Sequence, residues 1–297
     1  MNQRFLAGLA LAFSLLAPAS AADRFEVGSL LVEKQGKGPA VILVPGLSSG
    51  PWVWRDTAPR LAKNHAVYLV TLPGFDGRAA QPGASLESVQ ADLLALIVSE
   101  KLDRPVLVGH SLGGALSLAF AAAQPERLRG VVSVDGLPVF PGTEHATERK
   151  ALAEGMRSQF GAQSREQFAA GQLMYLRTVG TLSETIAQEL APLAARSDIG
   201  ATADFAAQLM ALDLRPRLAA ITSPVVLVSP FNAPDFARMG IDEAGKSGYY
   251  RSLLPGIAKL DVVSISPARH FVMFDQPEKF AAALDQALAD MFASGGK

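Results

Sequence analysis

The chain has 297 residues, 49% hydrophobic and 19% charged, a balance that excludes a disordered polypeptide and leaves apolar surface for one large α/β domain or two small ones. A formal net charge of −1, with no Lys/Arg run and no aromatic residues interleaved among basic ones, excludes the electrostatic footprint of nucleic-acid binding. There is no cysteine for a disulfide framework or a thiolate metal site, and the four histidines, His65, His110, His145 and His270, show no ligand spacing, so no metal is expected.

The first 22 residues, MNQRFLAGLALAFSLLAPASAA, carry Arg4, an apolar run from Phe5 to Leu16, then Pro18 and the small tripeptide Ala19-Ser20-Ala21. That order is the pattern of a secretory signal peptide, and the run is shorter than the ~20 residues a spanning helix needs. Residues 1–21 are therefore expected to be cleaved near Ala21, with export to the periplasm or the medium of a bacterial host. No other stretch is long and apolar enough to span a bilayer, so no stable membrane insertion is expected.

From residue 25, FEVGSLLVEKQGKG reads as a strand or hairpin, followed by buried strands at AVILVPG (40–46) and AVYLVTLPG (66–74) with the helical VWRDTAPRLAKN between them. A helix is predicted over about 85–101, then the strand PVLVG, an Ala-rich helix after Ser111, and the strand LRGVVSVDG (128–136). Between Val139 and Arg217 the strand signal disappears and four helical stretches follow. The sheet resumes with SPVVLVSP (223–230) and KLDVVSIS (259–266), and a last amphipathic helix runs from Pro277 to Phe292. Strands alternating with helices predict a mainly parallel sheet covered on both faces. The expected organisation is a core of residues 22–138 and 218–297, with residues 139–217 a helical cap inserted between two strands.

Gly109-His110-Ser111-Leu112-Gly113 matches Gly-x-Ser-x-Gly with a strand before it and a helix after it. A turn this tight strains the serine backbone, and flanking glycines let neighbouring backbones approach. The hydroxyl is lifted above the sheet at a helix N-terminus, where unpaired N–H groups favour negative charge. Here the chain resembles the α/β-hydrolase family, over most of residues 25–293. The resemblance implies a nucleophile, Ser111. It also implies an oxyanion hole from the backbone N–H groups of Leu112 and of Leu47, in the loop PGLSSG (45–50). The commoner family pattern has His-Gly where this chain has Pro45-Gly46; because the donor is backbone, the departure matters little.

The family's chain order of serine, acid, histidine leaves His270, between the last strand and the last helix, as the base. The acid departs from the common arrangement. After the strand that follows the cap, where an Asp is usual, the chain reads VVLVSPFNAPDFA, with Asp235 beyond Pro234. A second arrangement, that of haloalkane dehalogenases, places the acid after the strand preceding the cap, which is Asp135 in VVSVDGLPVF. Asp135 is favoured and Asp235 is the alternative. Trp52, Trp54, Phe75 and Phe140, with Phe231 and Phe236, fall near the predicted C-terminal edge of the sheet, where they either line an apolar pocket or pack cap against sheet. The resemblance implies a cofactor-free serine hydrolase that cleaves small-molecule carboxylic esters of small or medium acyl groups, and the leader implies that it is exported. A lactonase or cofactor-free perhydrolase with the same triad, or a non-catalytic binding protein on this fold, stands as the alternative.

Overall fold

The computed structural model describes residues 23–144 and 146–293; the expected leader at 1–21 and His145 lie outside the described residues. The described chain starts with a hairpin of β1 (Asp23–Val27) and β2 (Leu30–Gln35). β3 (Ala40–Val44) leads through α1 (Thr57–Leu61) to β4 (Ala66–Thr71), and α2 (Leu86–Ser99) leads to β5 (Val106–His110). α3 (Leu112–Ala123) follows β5 after a single residue, Ser111, and returns to β6 (Gly130–Val134). Four helices come next: α4 (Ala146–Gly161), α5 (Arg165–Tyr175), α6 (Glu184–Ala194) and α7 (Ile199–Ala211). The sheet then resumes with β7 (Val225–Pro230), α8 (Ala233–Phe236), α9 (Glu243–Ser252), β8 (Leu260–Ile265), α10 (Val272–Asp275) and α11 (Pro277–Ala293).

The strands form one eight-stranded sheet in the order β1-β2-β4-β3-β5-β6-β7-β8, antiparallel at β1 and β2 and parallel from β4 to β8. Period-two alternation divides the buried side chains. Val41 and Leu43 of β3 and Val106 and Val108 of β5 pack on one face with α11, while Ile42, Val44 and Leu107 pack on the other with α2 and α3. Both faces are covered, which is why these strands are continuous apolar runs in the sequence.

The register brings the strand ends together. Val44 pairs with Gly109, Gly109 with Ser133, Val134 with Val228, and Pro230 with Ile265. The segments after β3, β5, β6, β7 and β8 therefore all leave the sheet along one edge.

Among the inserted helices, α5, α6 and α7 each start where a polar side chain, Ser164, Ser183 or Asp198, accepts a hydrogen bond from a first-turn N–H. The insertion has a narrow stem: Val139 bridges Asp213, and the Leu214 N–H donates to the Pro138 carbonyl at 2.8 Å. α7 seats the insertion on the core, with Phe205 edge-on to Phe75, the Thr202 and Ser48 hydroxyls 3.1 Å apart, and the Asp198 N–H donating to Gly74.

Candidate active site

Ser111 occupies the one-residue link between β5 and α3 with φ 54° and ψ −117°, a strained backbone for a residue with a Cβ. The Ser111 N–H donates to the Val134 carbonyl at 2.9 Å, which ties the turn to β6. The turn closes only because Gly109 and Gly113 lack side chains. A Cβ on Gly109 would strike the Gly113 carbonyl, and one on Gly113 would strike that of Val44. Among the described residues six non-glycine residues have positive φ, and three of them, Ser48, Ser111 and Asp135, sit together at this edge. Backbone strain gathered in this way is the signature of a site whose geometry the fold holds in place.

Leu112 is the first residue of α3, so its N–H has no intrahelical acceptor. The Leu47 N–H makes no hydrogen bond among the described residues. Both are backbone donors beside Ser111, and Leu47 and Ser111 line one cavity.

Asp135, with φ 48°, follows β6, and its N–H donates to Val228 at 3.0 Å. His270 Nδ1 lies 2.6 Å from Asp135 Oδ2, and the Tyr250 hydroxyl donates to Asp135 Oδ1 at 2.9 Å. Burial works to raise the carboxyl pKa. The His270 hydrogen bond and charge, the Lys246 ammonium and the Tyr250 hydroxyl outweigh it and hold the carboxyl at about 2. An ionised carboxylate only accepts, so the proton of a neutral His270 ring sits on Nδ1 and the Nε2 lone pair is free. Among the described residues no hydrogen bond joins Ser111 to His270, although both rim the same cavity. Such contacts are often long before substrate binds.

His270 is fixed from several sides. Its N–H donates to the Val179 carbonyl and that of Phe271 to Gly180, both in a π-helical turn (Leu176–Gly180) that follows α5. Asp275 Oδ2 accepts from the Arg269 N–H, while its Oδ1 accepts from the Thr181 hydroxyl and the Leu182 N–H. Behind the ring, His110 Nε2 lies 3.1 Å from the His270 carbonyl oxygen, which can only accept, so Nε2 carries the His110 proton. Burial, with the neighbouring His270 charge, pushes the His110 pKa down to about 3, so this ring stays neutral and serves as a rigid backing.

Asp235 does not reach His270. Its carboxylate is held by both Arg269 Nε, at 2.8 Å, and Nη2, at 2.7 Å, and these hydrogen bonds keep its pKa below the ordinary range. It lies in the short helix α8, beside the arginine next to His270.

The aromatic expectations divide. Phe140 lines the cavity, but Trp54 and Phe75 are fully buried core residues, stacked on Phe280 and set edge-on to Phe205. Trp52 stacks on Phe271 behind the His270 loop and does not line the cavity, and Phe231 stacks on Phe236. For Trp52, Trp54 and Phe75 the pocket placement is thus corrected to packing, because the strand ends bury these rings between sheet and helix before the cavity begins.

Three residues at the site carry no local signal in the sequence. Tyr250 and Lys246 share one face of α9 at i, i+4 spacing, which shows that they are neighbours but not that they face Asp135. Lys246 is buried, with Nζ donating to the Pro230 carbonyl and lying 4.9 Å from the Tyr250 ring centroid; burial lowers its pKa, and the charges of Asp135 and Asp235 oppose that. Tyr175, at the end of α5, stands edge-on to His270 with 6.1 Å between ring centroids and borders the same cavity.

The profile of the alpha/beta hydrolase family matches residues 41–283. The chain belongs to the α/β-hydrolase family. Among curated proteins this α/β hydrolase is 34% identical over 113 residues to a pimeloyl-acyl-carrier-protein methyl ester esterase of Aeromonas salmonicida, covering 38% of this chain and 43% of that one. It is 39% identical over 111 residues to a 2-hydroxy-6-oxo-2,4-heptadienoate hydrolase of Pseudomonas putida, covering 35% of this chain and 40% of that one. The similarity thus spans about two fifths of the length of either relative. An esterase from Exiguobacterium antarcticum superposes with a TM-score of 0.73 at 19% identity, covering 88% of this chain and 95% of that one, which shows a shared fold. Among the described residues of the α/β hydrolase no helix is long and apolar enough to cross a membrane.

Proposed function

We propose that this α/β hydrolase is a serine esterase that cleaves carboxylic esters of small or medium acyl groups. The observation that carries the reading is the 2.6 Å contact between His270 Nδ1 and Asp135 Oδ2 beside a strained Ser111 in one cavity. In this reading Ser111 Oγ attacks the ester carbonyl carbon as its proton passes to His270 Nε2, and the N–H groups of Leu47 and Leu112 hold the oxyanion. Collapse of the tetrahedral species breaks the bond to the alcohol oxygen, which takes the proton from Nε2. Water then gives a proton to Nε2, attacks the acyl-enzyme and releases the acid, returning the proton to Oγ. Asp135 keeps the ring in its working tautomer and offsets the imidazolium charge. The names of the curated relatives, an ester esterase and a hydrolase, support the same class of reaction.

A serine-directed fluorophosphonate tests this directly. It should label the protein at Ser111 with 1:1 stoichiometry and abolish hydrolysis of p-nitrophenyl butyrate; an unlabelled, inert protein would refute the proposal.

Tyr250 acts through Asp135 as a positioning residue. Tyr250→Phe removes one charge-assisted hydrogen bond of ~1.5–3 kcal/mol, so kcat should fall ~10-fold or more at nearly unchanged KM. A variant that only melts earlier, with wild-type kcat, would show that the hydroxyl serves stability alone.

Export through the leader belongs to the same proposal. The protein recovered from a periplasmic fraction should begin at Ala22 or Asp23, and a product there retaining Met1 would contradict cleavage.

A further inference from the structure

The space around Ser111 is divided into two chambers that meet at Ser111, Phe140, Tyr175, Leu209 and His270. The first, ≈ 310 Å³, lies under the inserted helices and is walled by Met156, Phe160, Phe168, Ala206 and Met210. Its remaining long polar side chains are two half-buried amides, Gln163 and Gln172, neither of which makes a side-chain hydrogen bond among the described residues. The second, ≈ 320 Å³, is walled by Leu137, Pro141 and Val179 and holds Asp135 and Tyr250 beside the ring of His270.

Resting on the esterase reading, we propose that the substrates are uncharged esters whose acyl chain lies in the first chamber, with an uncharged hydrogen-bonding group at its far end for Gln163 and Gln172. Ser111 and His270 border both chambers, so an ester held there places its leaving alcohol, which takes its proton from His270, in one chamber and its acyl chain in the other; the acyl chain is assigned to the first, where the two amides stand. The described lining of the first chamber offers a carboxylate no lysine or arginine, and several arginines of the inserted helices and their flanks are engaged elsewhere. Arg149 and Arg215 pair with Asp213, Arg157 with Asp204, and Arg177 with Glu184, while Arg165 donates to the carbonyls of Ala195 and Ser197. The second chamber is worse for an anion, because the ionised Asp135 lines it. Burying an unpaired carboxylate in either space is therefore strongly unfavourable, whereas an amide accommodates a neutral carbonyl, ester or hydroxyl.

The matched pair dimethyl adipate and monomethyl adipate tests this at pH 7.5, since the two differ only by a methyl group that masks the distal carboxylate. Wild-type enzyme should prefer the diester by at least ~100-fold in kcat/KM. The preference should shrink as the pH is lowered toward ~4, where the half-ester carboxyl takes up its proton. Gln172→Arg, which places a guanidinium in the first chamber, should narrow the preference at pH 7.5 by at least ~10-fold. Equal use of the two esters by the wild type would overturn the proposal while leaving the esterase reading intact, and an unchanged preference in Gln172→Arg would overturn the placement of the acyl chain. Failure to hydrolyse either ester, together with no fluorophosphonate labelling of Ser111, would overturn the esterase reading and this inference with it.

Discussion

Ser111→Ala should lower kcat for p-nitrophenyl butyrate by about 10⁶-fold while leaving the melting temperature within a few degrees of wild type. The size follows from the loss of the covalent route, since neither the oxyanion donors nor the imidazole supplies another nucleophile at the carbonyl. Stability is spared because the Ser111 side chain makes no hydrogen bond among the described residues and alanine bears the same Cβ at φ 54°. The strain at this position is a backbone cost that the variant inherits unchanged. His270→Ala should be almost as damaging, and the double variant should be no worse than either single one, because nucleophile and base act as a unit. Steady-state kinetics on all three proteins would check this. A Ser111→Ala protein that retains more than a percent of wild-type turnover would show that the serine is not the nucleophile.

Asp135→Asn should lower kcat by up to ~10⁴-fold with KM little changed. The amide cannot balance the imidazolium, and if its NH₂ turns toward Nδ1 it draws the ring into the tautomer whose Nε2 carries the proton. The stability effect is far smaller. The Asp135 carboxyl stands at about 2 in the fold against an ordinary 3.8, so its contribution is present above pH ~4 and is lost as the pH falls through about 2. That contribution is worth about 2 kcal/mol, enough to move the melting temperature of a protein this size by several degrees, so the comparison belongs well below the transition. Asp235→Asn is the control. It loosens a half-exposed ion pair to Arg269, which still donates to the carbonyls of Arg177 and Thr181, and should cost less than ~10-fold in kcat. If Asp235→Asn proves the crippling change and Asp135→Asn the mild one, the assignment of the acid fails.

Much of this site could be read before any coordinates because it is built from local punctuation. The glycines at 109 and 113 mark a strand-to-helix turn whichever way the rest of the chain runs, since backbone clashes at that spacing depend on a few consecutive residues. The alternation of apolar runs with helical stretches likewise announces a parallel sheet, because both faces of each central strand must be buried. Chain order alone singled out His270. Between Asp135 and Asp235 it could express only a preference, since an acid 135 residues away from its histidine in sequence is chosen by strand register. Pairing of β6 with β7 and of β7 with β8 brings Asp135 and the His270 loop to one edge, and the bidentate grip of Arg269 holds Asp235 aside.

The aromatic residues show the opposite case. Trp54, Phe75 and Phe140 have the same character in the sequence, yet two are core and one lines the cavity, because the depth at which a side chain leaves a strand end depends on what packs over it. Tyr250 and Lys246 reach Asp135 only because α9 folds back against β7 and β8. The strained turn at Ser111 and the sheet class are thus properties of short segments, decided by local sterics and burial. The acid's partners, the two chambers and the absence of lysine and arginine from their described walls are long-range packing outcomes, which no short segment specifies because each depends on contacts between elements distant in the chain.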